Sequence, residues 1–117
     1  RVPLIVPCDL ISRLIPVLCE GRQLIVVTPT QRQVQQSQEK WRKYVSDVVT
    51  VAASPYGGWK EIEQVCRKIS ELQGPLVVMD CIGYSFAMKR EVAEKTGKTV
   101  VLSRTMAARV ISELSDI

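Results

Sequence analysis

The sequence contains no histidine, no Cys-x-x-Cys pair and few aromatic residues. Without histidine, the Ser-His and Cys-His pairs that activate many protein nucleophiles cannot form within this chain. The spacing of the four cysteines, Cys8, Cys19, Cys66 and Cys81, favours neither a structural zinc site nor a disulfide framework. We therefore expect no metal site, and any acid–base chemistry must use Cys, Asp, Glu, Lys or Tyr.

Glycine and proline are scarce, with six residues each, and no apolar run approaches the roughly 18 to 20 residues of a membrane-spanning helix. With 46% hydrophobic residues, this composition excludes collagen-like and disordered chains. Residues 1–117 are predicted to form one domain that needs neither disulfides nor metal to fold. No signal segment is visible, so we expect a cytoplasmic protein with no membrane contact, and we expect natural residues before Arg1.

The net charge of +4 arises entirely in residues 1–60, which carry 8 basic and 4 acidic side chains. Four of the basic residues, Arg32, Lys40, Arg42 and Lys43, fall in a Gln-rich stretch. That stretch could be a nucleic-acid footprint, but it lacks interleaved aromatic residues and any recognisable binding motif. We favour a solvated helix face and expect no nucleic-acid partner.

Short, continuous apolar runs rich in β-branched residues recur along the chain. They are Val2 to Val6, Leu24 to Val27, Val48 to Ala53, Leu76 to Met79 and Thr99 to Leu102. Continuous runs are typical of strands buried on both faces, and hence of a parallel sheet with helical crossovers. The sequence thus predicts a three-layer, flavodoxin-like α/β fold with helices on both faces of the sheet.

Helical patterns separate these runs. The predicted helices are Asp9 to Glu20, Gln31 to Tyr44, Trp59 to Leu72, Ser85 to Lys95 and Thr105 to Leu114. Asp9 is the predicted N-cap of the first, in which Pro16 implies a kink or a later start. Gly97 stands at the stop position of the fourth. The last is expected to bury Met106, Val110 and Leu114.

Small and polar residues follow each internal run, where the carboxyl ends of parallel strands share one edge and ligands bind. They include Thr28, Thr30, Ser54 and Tyr56, and later the run Asp80 to Tyr84. We expect these residues to converge in one cleft.

Cys81 is the sharpest candidate for chemistry, because a thiol at a strand end and at the entrance to a helix is expected to be stabilised as thiolate. Gly83 would allow close approach by a small ligand, and Tyr84 would offer its hydroxyl. The alternative is that Cys81 packs as a small hydrophobe and Gly83 only makes the turn. Cys19 and Cys66 lie on apolar helical positions and are interpreted as core.

Several of these motifs, in this order, resemble the AroM family of the aspartate/glutamate racemase-like superfamily. They are Pro29 with Gln33, Lys40-Trp41, Ser54-Pro55-Tyr56, Asp80-Cys81-Ile82-Gly83-Tyr84 and Thr96-Gly97-Lys98. The resemblance covers nearly the whole chain, but it matches the second half of a two-lobed protein. Residues 1–7 would then end the first lobe.

The resemblance implies a proton transfer at the carbon next to a carboxylate, carried out by two cysteines without any cofactor. Cys81 would be the second-lobe catalytic residue, while Cys8 does not correspond to its partner. A small carboxylate could be held by Thr28, Thr30, Ser54, Tyr56, Gly83 and Tyr84 together with backbone N–H groups. Adjacent negative charge at Asp80 would oppose a thiolate, although consecutive strand-end residues point to opposite sides.

Two functions therefore stay open: a racemase- or isomerase-like enzyme acting through Cys81, and a non-catalytic protein of the same fold that binds a small carboxylate. We also expect a partner, either the missing first lobe or a second copy of this chain, because the sheet would otherwise leave an edge and an apolar face uncovered.

Overall fold

A computed structural model describes residues 7–81 and 83–114, and within them five α-helices alternate with four β-strands. In chain order they are α1 (Pro7–Cys19), β1 (Leu24–Thr28), α2 (Val34–Arg42, after a 3-10 turn at Gln31–Gln33), β2 (Val48–Ala52), α3 (Trp59–Ser70), β3 (Leu76–Met79), α4 (Phe86–Thr96), β4 (Thr99–Leu102) and α5 (Ser103–Leu114). The strand predicted over Val2 to Val6 lies outside the described residues.

The four strands form one parallel sheet in the order β2-β1-β3-β4. Leu24 of β1 pairs with Val48 of β2 on one side and with Leu76 of β3 on the other. Every residue of the two inner strands is buried, whereas the outer strands β2 and β4 are partly exposed. Continuous apolar sequence is what strands covered on both faces require, and this prediction is confirmed for the inner pair.

Helices cover both faces of the sheet and give it two cores. On one face, α1, α2 and α5 pack on alternate residues of β1 and β3; the buried side chains are Ile11, Ile15, Cys19, Leu24, Val26, Trp41, Val45, Val48, Leu76, Val78 and Ala107. On the other face, α3 and α4 contribute Ile62, Val65, Cys66, Ile69 and Val92. The predicted three-layer, flavodoxin-like α/β architecture is confirmed, as are the core positions of Cys19 and Cys66.

Several helix boundaries differ from the sequence prediction, and the last helix, for example, begins at Ser103 rather than Thr105. The described part of the first helix spans Pro7–Cys19, so the predicted N-cap Asp9 is itself a helical residue. The helix also runs past Pro16 to Cys19.

None of the described helices has the length and hydropathy that a membrane crossing requires.

The burial predicted for α5 is wrong. Only Ala107 of this helix is buried, Met106 and Val110 are half-buried, and Leu114 is 47% exposed. The helix α5 directly follows the outer strand β4 and packs beside α1. The sheet therefore buries fewer of its side chains than the spacing of apolar residues predicts.

The α4 boundaries match the prediction. Ser85 is the N-cap, and its Oγ accepts a hydrogen bond of 3.2 Å from the Met88 N–H. At the other end Gly97 adopts a left-handed conformation, with φ of 70°, and its N–H donates to the Ala93 carbonyl. A residue with a side chain is strained at that φ, which is why glycine ends this helix.

Tyr84 ties the loop after β3 to the end of β2. The side chain is completely buried, and its hydroxyl donates to the Ala53 carbonyl at 2.5 Å. Burial raises the pKa of this phenol well above its ordinary value, and nearby Cys81, Glu61 and Asp80 raise it further. The folded state therefore strongly favours the protonated phenol.

We predict that Tyr84→Phe flattens the alkaline loss of stability. In the unfolded chain the phenol ionises above about pH 10, whereas in the folded protein it stays protonated. The contribution of Tyr84 to the free energy of unfolding is therefore complete below about pH 10 and is lost as the pH rises further. The variant should lose about 1 kcal/mol at pH 7, because Ala53 loses its donor. Urea unfolding between pH 7 and 11 measures both effects. Tyr56→Phe, at an exposed tyrosine, is the control, and equal alkaline slopes for wild type and Tyr84→Phe would contradict the prediction.

Candidate functional site

The carboxyl edge of the sheet contains a point where the chain changes direction across the strands. From β1 the chain moves to β2 on one side and then to β3 on the other, which opens a crevice above the ends of β1 and β3. Thr28 ends β1, and Asp80 and Cys81 follow β3. The Asp80 N–H donates to the Val27 carbonyl at 2.9 Å and holds the two strand ends together at this crevice.

The carboxylate of Asp80 connects three elements above the crevice. One oxygen, Oδ2, accepts from the Trp41 indole N–H at 3.3 Å and pairs with the Lys40 ammonium at 3.4 Å. The other, Oδ1, accepts from the Ser103 hydroxyl at 3.1 Å. The side chain is 23% exposed, so these donors replace water around most of a charged group.

The spacing of residues on α2 explains how the helix reaches Asp80. Ser37, Lys40 and Trp41 lie at positions i, i+3 and i+4 and share one helical face. The Lys40 Nζ also lies 5.3 Å from the centre of the Trp41 ring. Arg42 and Lys43 are exposed, as expected for a solvated face, but Lys40 is turned toward the sheet.

A cavity of about 400 Å³, named here the Cys81 cavity, opens between α1, α2 and α5. Cys81 lines it together with the polar side chains of Lys40, Asp80, Ser103 and Arg104. Trp41 and small or branched apolar residues of α1 and α5 form the remaining wall. The cavity thus combines one thiol, two cationic groups and one anionic group with an apolar wall.

A second cavity of about 230 Å³, named here the Ser37 cavity, adjoins the Lys40–Asp80 pair. Its own lining residues are Thr28, Pro29, Gln33, Gln36 and Ser37, and it shares Lys40 and Asp80 with the Cys81 cavity. It is more polar than its neighbour, since hydroxyl and amide groups replace the apolar wall.

Cys81 is half-buried, and the Gly83 N–H donates to its sulfur at 3.4 Å. The helix α4 begins only at Phe86 and is capped by Ser85, so the prediction that Cys81 stands at a helix entrance is wrong. The helix dipole acts mainly within the first turn, and Cys81 lies outside it. The hydrogen-bond donor to the Cys81 sulfur is instead the Gly83 N–H, in the turn that follows β3.

Ser54, Tyr56 and Gly83 come together on the α3 side of the edge. The Ser54 N–H donates to Glu61 at 2.6 Å, and the Tyr56 N–H donates to the Ser54 hydroxyl at 3.1 Å. A Cβ on Gly83 would lie 2.9 Å from Pro55 and 3.1 Å from the Tyr56 hydroxyl oxygen. The space beside Gly83 is therefore occupied by this loop, while the Tyr56 side chain is 86% exposed.

The other predicted binding residues have different surroundings. Thr28 is buried and lines the Ser37 cavity, and Thr30 is exposed and donates to Gln33 at 3.0 Å. Tyr84 cannot offer its hydroxyl to a ligand in this arrangement, because it is buried and donates to Ala53. All these residues follow parallel strands at one edge, but they form separate groups around Cys81 rather than one cleft.

Sequence reasoning did not select Lys40, Asp80, Ser103 and Arg104 as binding residues. The sequence does contain features that mark these residues as candidates. Ser103 and Arg104 directly follow an apolar run, and Lys40 precedes the buried Trp41 on a helix. The pairing itself depends on α2 packing against β1 and β2 so that Lys40 and Trp41 reach Asp80 at the end of β3, which the sequence pattern alone does not specify.

The fold and this edge define a three-layer α/β protein with a thiol and an ion pair at the strand-order switch. A family model described as AroM protein matches residues 1–115, and the chain belongs to this family. Comparison with curated proteins and with solved structures finds no match.

We predict that Asp80→Asn lowers the free energy of unfolding by about 1–2 kcal/mol, because one charged acceptor is lost and an amide N–H₂ faces buried donors. Lys40→Met is the matched control and should cost less than about 1 kcal/mol, since the Lys40 side chain is 43% exposed. Urea denaturation measures both variants. A larger loss for Lys40→Met than for Asp80→Asn would contradict the central role of the carboxylate.

We predict that iodoacetamide labels Cys81 before Cys19 or Cys66 in the folded protein at neutral pH. Burial raises the pKa of both the Cys19 and the Cys66 thiols, and Glu91 raises that of Cys66 further, so little thiolate forms there. Cys81 is partly exposed at the cavity. Mass-spectrometric peptide mapping over time gives the order, and labelling of Cys66 first would contradict it.

Proposed function

We propose that this AroM-family protein binds a small carboxylate in the Cys81 cavity and transfers a proton at the carbon next to that carboxylate. The observation that carries the proposal is that Cys81 lines one cavity together with Lys40, Ser103 and Arg104. A cysteine that can accept a proton as thiolate and cations that can attract an acid thus line the same cavity.

The proposed step begins with Cys81 as thiolate. Its sulfur takes the proton from the α-carbon and becomes a thiol, and the electron pair of the broken C–H bond moves into the carboxylate as an enediolate. A proton returned to the same carbon completes the cycle, so the atoms of the substrate are unchanged. Return from Cys81 itself restores the original configuration, and return from an acid on the opposite face inverts it.

The charges around the cavity suit this step. Lys40 and Arg104 favour a bound carboxylate and the second negative charge that develops on it, and the Cys81 sulfur accepts a hydrogen bond from the Gly83 N–H. Asp80 acts in the opposite direction, but its carboxylate accepts from Trp41 and Ser103 and pairs with Lys40. No cofactor enters the proposed step.

A second candidate is a non-catalytic protein that binds a small carboxylate in the same cavity. One observation favours it: among the side chains that the structure describes, Cys81 is the only thiol that lines this cavity, while Cys19 and Cys66 are buried in the two cores. Inversion needs a second acid, which the racemase-like resemblance would place on a first lobe.

Deuterium exchange separates the two candidates. We expect the protein in D₂O to exchange the α-hydrogen of at least one acid in a panel containing both enantiomers of aspartate, glutamate and lactate, as measured by proton NMR. Cys81→Ser should abolish exchange while binding persists, and Cys66→Ala, a thiol in the α3 core, should retain exchange. Binding without exchange in the wild type would favour the non-catalytic candidate, and exchange that survives in Cys81→Ser would contradict the role of Cys81.

The proposal also includes a protein partner and a cellular compartment. A first lobe, or a second copy of this chain where no such lobe is present, would cover the apolar wall of the Cys81 cavity and the exposed strand edges. A cytoplasmic setting, in which thiols stay reduced, would preserve Cys81 for this chemistry. Light scattering that finds single chains with no other polypeptide would contradict the expected partner.

A further inference from the structure

The lining of the Cys81 cavity combines a charged part and an apolar part. The charged side chains are those of Lys40, Asp80 and Arg104, and they belong to the elements that meet at the carboxyl edge beside Cys81. The lining from α1 and from the later turns of α5 is apolar. It consists of Ile11, Ala107, Ala108 and Ile111. The carboxylate of a bound acid uses only the charged part, so the apolar part must be explained separately.

The α5 helix connects the two parts of the lining. Arg104, Ala108 and Ile111 lie at positions i, i+4 and i+7, share one helical face, and all line the cavity. Seven residues of α-helix rise about 10 Å, so this face extends well beyond the length of a three-carbon acid such as lactate. Along it the side chains change from cationic to small apolar to branched apolar.

The charges in the lining match one carboxylate rather than two. The cavity has two cationic side chains and one anionic side chain, and Asp80 compensates Lys40 at 3.4 Å. A second carboxylate, as in aspartate, would lie against apolar residues and lose hydration without gaining a partner there. An apolar group at the same place gains free energy, because its surface and that of the wall are both removed from water.

We propose that the acid bound in the Cys81 cavity is a monocarboxylate with an apolar substituent on its α-carbon, and that this substituent lies along Ala108 and Ile111. The inference rests on the proposed function, since it requires a carboxylate held by Lys40 and Arg104 beside Cys81. A cavity of about 400 Å³ is within the range of pockets that hold small-molecule ligands. A partner that closes over the cavity would enclose the substituent rather than replace it.

The chain provides a matched control for this placement. Ala108 on α5 and Ala87 on α4 are both exposed alanines within helices, but Ala87 lines neither the Cys81 cavity nor the Ser37 cavity. Glutamine is a good helix former, so both Ala108→Gln and Ala87→Gln should fold. Ala108→Gln places an uncharged polar side chain in the apolar part of the cavity and leaves its charged groups unchanged. A change in binding seen only in this variant is then specific to the cavity.

The experiment measures the binding of propionate, hexanoate and 1-hexanol by following backbone amide resonances in NMR titrations. Propionate and hexanoate differ by three methylene groups, so we expect wild type to bind hexanoate about tenfold more tightly. It should also bind hexanoate more tightly than 1-hexanol, which lacks the carboxylate. Ala108→Gln should lower the hexanoate-to-propionate affinity ratio to about twofold, since less apolar surface is then buried, and Ala87→Gln should keep the wild-type ratio.

The possible failures separate this inference from the proposed function. Equal affinities of wild type for propionate and hexanoate would overturn the apolar substituent and leave the carboxylate site standing. Equal affinities for hexanoate and 1-hexanol would contradict the carboxylate site itself, and with it the proposed function. An unchanged affinity ratio in Ala108→Gln would contradict the placement along α5.

A second copy of the chain is the alternative occupant of the apolar wall. Light scattering that finds a dimer in wild type and single chains in Ile111→Asp, together with equal affinities of wild type for propionate and hexanoate, would assign the wall to that copy. This combination would overturn the inference.

Discussion

The hydrogen-bonded carboxylate of Asp80 is the interaction on which the site depends. The Asp80 backbone lies at the end of the sheet, where its N–H donates to the Val27 carbonyl. The Asp80 side chain accepts hydrogen bonds from Lys40 and Trp41 of α2 and from Ser103 of α5. A partly buried carboxylate is tolerated because these donors replace much of its hydration. Two helices on the same face are thereby fixed relative to β3, and the spaces beside the carboxylate become the two cavities.

Cys81 gains its position from the same strand end. Its side chain packs against the core formed by α3 and α4, and the residue also lines the Cys81 cavity. Its sulfur accepts a hydrogen bond from the Gly83 N–H. Because Asp80 is paired with Lys40, the fold places the thiol next to a charge that is largely compensated rather than next to a bare carboxylate.

Much of the fold could be predicted from the sequence, because it depends on local signals. The inner strands are continuous apolar runs, and Ser85 and Gly97 fix α4 through contacts within a few residues. The site was less predictable because its contacts are distant in sequence. Lys40 and Asp80 are forty residues apart, and the bond between Tyr84 and the Ala53 carbonyl spans thirty-one. A run such as Asp80 to Tyr84 does not reveal which of its polar side chains turns into the core.

The shared ion pair also gives the two cavities different chemical preferences. In the Ser37 cavity the charges of Lys40 and Asp80 compensate each other, so an anion gains little there and uncharged polar groups are favoured. The Cys81 cavity adds Arg104 to the same pair, so the sum of the lining charges becomes positive on that side. For the proposed ligand, this difference in lining charge would favour placing the acidic end in the Cys81 cavity. This difference in lining charge depends on the Lys40–Asp80 ion pair staying formed. Asp80 is therefore central to both cavities.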